Sequence, residues 1–290
     1  MTEQNQTVSP EHEYLGAGKS LAYGLQHVLT MYGGIIAPPL IIGTAAGLEP
    51  AQIGLLIAAA LFVGGLATIL QTVGVKYIGA KLPLVQGVSF AGVATMIAIV
   101  TAGGGLSAVY GAVIVASLIG FFLAPYFSKI IRFFPPIVTG CVITVIGLSL
   151  LPVAVRWMMG GNSKAPDWGS AENISLAFLT LAIVIVLNIT RNATIRRLSI
   201  LLAIVLGTVL AYAMGFGDFS KVANGNWIQF PSFFAFGMPT FELSAIIAML
   251  IVTLVIMTET TADIIAVGEI VGTKVDAERI TNGLRADMLS

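Results

Sequence analysis

Apolar residues run in blocks of spanning length along this chain of 290 residues, broken by short polar or glycine-containing stretches. An α-helix rises about 1.5 Å per residue, so about 20 apolar residues cross the hydrocarbon core of a bilayer. The blocks predict eight spans, at 21–45, 53–73, 82–101, 108–127, 137–155, 174–189, 198–216 and 241–267. A ninth begins near 277 and is cut off at Ser290. Pro135 and Pro136 suit the first turn of the fifth span, where a missing N–H costs little.

Two of the blocks depart from the pattern of a plain span. In the eighth, Glu259 and Asp263 interrupt an otherwise apolar helix. A carboxylate at bilayer depth costs about 2.5–3.5 kcal/mol on insertion scales, so such residues usually face a site or a water-filled cavity. Their spacing of four puts both on one helix face. The alternative is a span that starts late and leaves Glu259 among the headgroups, since the apolar run 243–257 is short for a full crossing.

The third block begins with Leu82-Pro83-Leu84-Val85-Gln86-Gly87-Val88, which carries a proline, a glycine and β-branched residues. Phe90-Ala91-Gly92-Val93-Ala94-Thr95-Met96 then reads as helix, with Ser89 as its N-cap. An extended piece followed by a half-helix presents free N–H groups and a positive dipole end, as at the midplane sites of secondary transporters. An ordinary helix with Pro83 in its first turn is the competing reading. In the first span, Gln26 and His27 form a further polar pair, and Gly33, Gly34, Pro38 and Pro39 follow. The glycines allow close helix approach and the prolines distort the helix; a histidine there also serves simply to bond a neighbouring carbonyl.

Composition agrees with the pattern. Hydrophobic residues make up 57% and charged residues 10%, against about 25% charged in soluble domains. Mean hydropathy is +0.96. A formal net charge of +0 gives no sign of nucleic acid as a partner. Cys141 has no partner for an internal disulfide and, lying in an apolar run, is expected to be buried packing. Residues 1–14 lack the basic and apolar regions of a signal peptide and read as a disordered cytoplasmic lead. With the N-terminus inside, 11 of the 14 Lys and Arg residues fall in cytoplasmic loops. Only Arg156, Lys164 and Lys221 fall outside, as do Trp157, Trp168 and Trp227.

The segment 26–34, Gln-His-Val-Leu-Thr-Met-Tyr-Gly-Gly, resembles the first span of the nucleobase–ascorbate transporter family, also called nucleobase:cation symporter-2. Gln86-Gly87-Val88-Ser89-Phe90 resembles its third span, 132–140 the start of its fifth and Glu259-Thr260-Thr261-Ala262-Asp263 its eighth. The similarity is collinear over nearly the whole chain, and the motifs together are highly specific.

The resemblance implies an all-α polytopic membrane protein of fourteen spans in two inverted seven-span repeats. This chain would hold the first repeat plus span 8 and part of span 9, with a short extended piece in span 3. It implies a cytoplasmic tail (1–20), core-domain spans 1–4 (21–127), gate-domain spans 5–7 with an outer linker (128–240), and core-domain span 8 with the start of span 9 (241–290). Substrate would lie between the extended pieces of spans 3 and 10, beside span 8. Glu259 matches the glutamate that bonds the base ring, Phe90 a position beside the base, and Ser89 is its neighbour. Asp263 matches the acid of the purine-using branch, His27 a histidine behind the site with Gln26 next to it, and Asp287 a ninth-span aspartate important for function.

The implied function is import of xanthine or uric acid by cation symport, with a proton as coupling ion and no cofactor, metal or enzymatic activity. The implied setting is the bacterial inner membrane, N-terminus inside, as a homodimer when full length. The family signature of span 10 does not occur in this sequence, so the chain reads as an incomplete fragment. Physical chemistry fits the same picture: a carboxylate accepts from ring N–H groups, backbone N–H groups donate to ring carbonyls, and a phenyl ring stacks on the base. An acid near the site is able to take up and release a proton during a cycle. A uracil or other nucleobase permease, or an anion transporter of the same seven-plus-seven architecture, is the alternative. A membrane enzyme would need a nucleophile–base set or metal ligands, which two histidines and one cysteine do not supply visibly.

Overall fold

The computed structural model describes residues 16–130, 136–161, 165–216, 231–232 and 234–290. Most of the expected tail (with His12), residues 132–135 of the fifth-span motif, Lys164, Lys221 and Trp227 lie outside the described residues. The described residues are all-α, with a single isolated bridge between Val75 and Ile78. Among them, five helices are long and apolar enough to cross a membrane: Ala17–Ala45, Pro50–Val73, Phe90–Lys129, Ala171–Ile189 and Leu243–Val271.

Helix α1 (Ala17–Ala45) runs through Pro38 and Pro39, both buried. Helix α2 (Pro50–Val73) starts on a capping box, in which Glu49 and Gln52 each satisfy the other's backbone N–H, with Pro50 at the first helical position. Residues 79–89 are neither helix nor strand. A 3-10 turn (Phe90–Gly92), α3 (Val93–Ile99) and a π-helical turn (Val100–Gly104) complete the third span. The broken reading of span 3 is therefore the correct one, and Ser89 is its N-cap, its hydroxyl accepting from the Ala91 N–H at 3.1 Å. Gly103 has φ 100, inside the left-handed region that an L side chain rarely adopts, and marks the bend into α4 (Gly105–Ile130).

Helices α5 (Pro136–Met158) and α6 (Ala171–Ile189) follow, α6 capped by Ser170. A short helix, α7 (Ala193–Arg197), forms where the sequence predicts only a loop. Asn192 accounts for it, accepting from the N–H groups of Thr194 and Ile195 at 2.9 and 3.3 Å. The seventh span, α8 (Ser199–Ala213), is shorter than the apolar block, because the chain turns at Met214–Gly215. Helix α9 (Leu243–Val271) extends beyond its predicted end, and α10 (Ala277–Met288) starts on Asp276, which accepts from the Arg279 N–H at 2.8 Å.

Packing centres on α4, which lies against both α9 and α10, while α6 packs on α8 and α1 on α2. One apolar cluster joins Leu82, Phe127, Met257, Ile264 and Leu284 from span 3, α4, α9 and α10. A second joins Ala108, Ala112 and Ala116 of α4 to Ala245 and Met249 of α9. Alanines on both sides let these helices approach closely. At Gly111 the chain leading into α9 lies against α4, and an added Cβ would stand 1.9 Å from the Thr240 carbonyl oxygen.

The outer faces carry Phe62, Leu66, Ile119, Phe122, Ile185, Val209 and Ile251, all exposed. In water such a surface would drive association, and in lipid it is the expected exterior. Cys141 corrects the sequence expectation, because it is exposed on α5. An apolar run does not distinguish core from exterior in a span whose outward face is also apolar.

Candidate functional site

The non-helical segment 79–89 is held at both ends by side chains from other elements. At its start, the Gln71 side-chain oxygen accepts from the Ala80 N–H (3.3 Å) and the Gln71 carbonyl from the Lys81 N–H (2.9 Å). Arg279 on α10 donates through Nε to the Ala80 carbonyl (2.6 Å) and through a terminal nitrogen to the Lys81 carbonyl (2.9 Å). The Gly79 N–H donates to the Asn282 carbonyl at 2.7 Å. Further along, the Thr68 hydroxyl of α2 accepts from the Gln86 N–H (2.9 Å) and donates to the Gly64 carbonyl (2.7 Å). Gly64 lets the segment lie close, since a Cβ there would sit 3.2 Å from the Gln86 carbonyl oxygen. Non-helical backbone at membrane depth is tolerated only when its polar groups are met by protein or by a cavity; these bonds meet several of them.

The segment ends at Ser89, whose hydroxyl donates to Glu259 Oε2 at 3.0 Å. Glu259 is the 17th residue of α9, about 24 Å along the helix from Leu243 and about 18 Å from Val271. The helix runs well past Glu259 in both directions. One turn on, Asp263 shares the face. Across from them, Asp287 on α10 accepts a hydrogen bond from the Thr260 hydroxyl at 2.5 Å.

Together these groups line a cavity of about 330 Å³. Residues 84–90 form one wall, Ile256, Glu259, Thr260, Ala262 and Asp263 the other, and Asp287 closes it. The volume lies at the small end of ligand sites. A second cavity of about 220 Å³, bordered by Ala60, Gly64, Ser117 and Thr253, shares Gly87, Val88, Ser89, Ile256 and Asp287 with the first. Asp287 therefore stands between two spaces. Chemically, the larger cavity offers acceptor carboxylates on α9 and α10, hydroxyls that orient two of them, a phenyl ring and the start of a half-helix. This set suits a small planar molecule with N–H donors. No cluster of three or more metal-ligating side chains occurs among the described residues.

A profile of the Permease family matches residues 18–290. The chain is 42% identical to the uric acid permease PucK of Bacillus subtilis over 267 residues, which cover 92% of this chain and 62% of that protein. It is 39% identical to the xanthine permease of the same organism over 275 residues, 95% of this chain and 62% of the relative. It is 37% identical to the uric acid transporter UacT of Escherichia coli, over 94% of this chain and 57% of the relative. The chain belongs to the nucleobase–ascorbate transporter family. It is a multi-pass membrane protein of a family of permeases, not of enzymes, and it spans about three-fifths of the length of the relatives it matches.

Of the residues singled out from the sequence, Ser89, Phe90, Glu259, Asp263 and Asp287 meet at the cavity. Gln26 and His27 do not line it; His27 is exposed on α1 and Gln26 half-buried there. Sequence reasoning missed Thr68, Gln71, Thr260 and Arg279. Arg279 carried a usable signal, because a cation in the first turn of a helix opposes the helix dipole. Its position there points to partners outside the helix. Thr260 carried none, since a helical threonine usually bonds its own backbone.

Proposed function

We propose that the protein containing this chain imports purine nucleobases, xanthine or uric acid, by symport with a cation, the proton. The observation that carries this reading is the meeting of Phe90, the Ser89–Glu259 pair, Asp263 and Asp287 around one small cavity. Oxidised purines present several ring N–H donors and carbonyl acceptors on a flat ring. Glu259 accepts from the ring N–H groups, Phe90 stacks on the ring face, and the half-helix beginning at Ser89 faces the ring carbonyls. The relatives named uric acid and xanthine permeases support the same substrate class.

Asp263 and Asp287 are the proton carriers in this reading, since carboxylates inside a membrane commonly serve as proton relays. Alternating access is the rocking of a core (spans 1–4 with 8 and 9) against a gate (spans 5–7). The protein works as a homodimer in the inner membrane with its N-terminus in the cytoplasm, as the placement of basic residues favours.

Uptake of radiolabelled xanthine and urate by cells expressing the complete gene tests the proposal. Uptake is expected to be blocked by unlabelled purines, to be unaffected by sulfate, and to collapse when the proton gradient is dissipated. Uptake blocked by sulfate, or preferring uracil to both purines, would overturn it. Survival of uptake without a proton gradient would remove the proton from it.

A further inference from the structure

Helix α9 carries a run of threonines, and one behaves unlike the others. The hydroxyls of Thr253, Thr258 and Thr261 donate to carbonyls four residues back in their own helix, those of Met249, Leu254 and Met257, at 2.9, 2.9 and 2.7 Å. This is the default for a threonine inside a helix. Thr260, between two of them, donates instead to Asp287 Oδ2 on α10 at 2.5 Å. Thr260 is buried, borders the cavity and directly follows Glu259.

We propose that Thr260 is a positioning residue that links the proton state of Asp287 to the carboxylate of Glu259. A helical threonine has two accessible side-chain orientations, one bonding the carbonyl of the preceding turn and one turned away from it. With Asp287 as a carboxylate, the Thr260 hydroxyl is held across the gap to α10. When Asp287 takes up a proton, that oxygen no longer demands a donor, and the hydroxyl is free to return to the Ile256 carbonyl four residues back. The first state ties α9 to α10 beside Glu259 and the second releases the tie. Thr260 therefore transmits the state of Asp287 to the wall that holds the base.

Among the described residues, the charged and titratable groups around Asp287 are few. Glu259 and Asp263 face it from α9 across the cavity. Helix α2 and residues 82–89 contribute none. Helix α4 brings Tyr110, Tyr126 and Lys129, none of which lines either cavity at Asp287. Arg285, two residues before Asp287, sits over the Phe121 ring at 5.6 Å. Among the described residues the donor identified for Asp287 is the Thr260 hydroxyl.

This inference rests on the purine-symport reading for its meaning in transport, but its test does not. In the purified complete protein, the infrared carboxyl band of Asp287, assigned by its loss in Asp287→Asn, is titrated against pH. Thr260→Val keeps the shape and removes the hydroxyl, and the midpoint is expected to move by about one pH unit, because a hydrogen bond to a charged group is lost. Thr260→Ser, which restores the donor, is expected to titrate like the parent. In parallel, the pH profile of purine uptake is expected to shift in Thr260→Val. Should Thr260→Val not fold, Thr260→Ala replaces it with the same expectations. An unmoved midpoint, or an equal shift in Thr260→Ser, overturns the inference. If the parent takes up no purine, the transport reading fails while the infrared titration still decides the role of Thr260.

Discussion

Replacing Glu259 with glutamine removes one charge and changes almost no volume, so it isolates the acceptor role of this side chain. In the structure Oε2 is engaged by the Ser89 hydroxyl at 3.0 Å, and the rest of the carboxylate faces the cavity. A glutamine keeps one oxygen. If that oxygen accepts from Ser89, the amide NH2 faces the base and meets ring N–H donors with another donor. If the amide turns over, the base keeps an acceptor, but a neutral one. Losing a hydrogen bond to a charged group costs about 1.5–3 kcal/mol. At about 1.4 kcal/mol per tenfold, purine affinity falls roughly ten- to hundredfold. The assay is equilibrium binding of radiolabelled xanthine and urate to the purified complete protein, with membrane insertion checked separately. Binding within twofold of the parent, with normal insertion, would refute the assignment of Glu259 to the base.

Three further outcomes are expected. Phe90→Ala loses a stacking surface worth about 1–3 kcal/mol, so purine affinity drops while insertion holds; an unchanged Kd would remove span 3 from the site. Arg279→Gln breaks the two charge-assisted bonds to the Ala80 and Lys81 carbonyls, and because those groups anchor the segment leading to Ser89, both the unfolding midpoint in detergent and purine affinity fall; a variant that melts and binds like the parent would show that the clamp is dispensable. With Cys141→Ala as background, single cysteines placed in 190–197 are expected to react only from the cytoplasmic side, and labelling from outside intact cells would invert the orientation.

Much of this fold follows from one physical constraint legible in the sequence. In lipid every backbone polar group must be satisfied within the protein, so apolar blocks of spanning length become helices with boundaries good to a few residues. The same constraint made Glu259 and Asp263 stand out, because a carboxylate in such a block is costly unless a site repays it. Pro83, Gly87 and Ser89 marked the break in span 3 for local reasons of backbone geometry and capping. These signals depend only on residues near one another in sequence.

The tertiary structure decided what depends on distant residues. That Ser89 meets Glu259 across 170 positions, and Thr260 meets Asp287 across 27, follows from how α9 and α10 pack on α4 and against residues 79–89. Arg279 looked like a topology-setting cation and proved to clamp two carbonyls, 198 and 199 positions away. Cys141 looked like core and proved exposed, since hydrophobicity inside a membrane does not encode which face is inward. Local pattern determines which segments are helices and where they break. The contacts between them arise only when side chains far apart in sequence compete for the same buried partners.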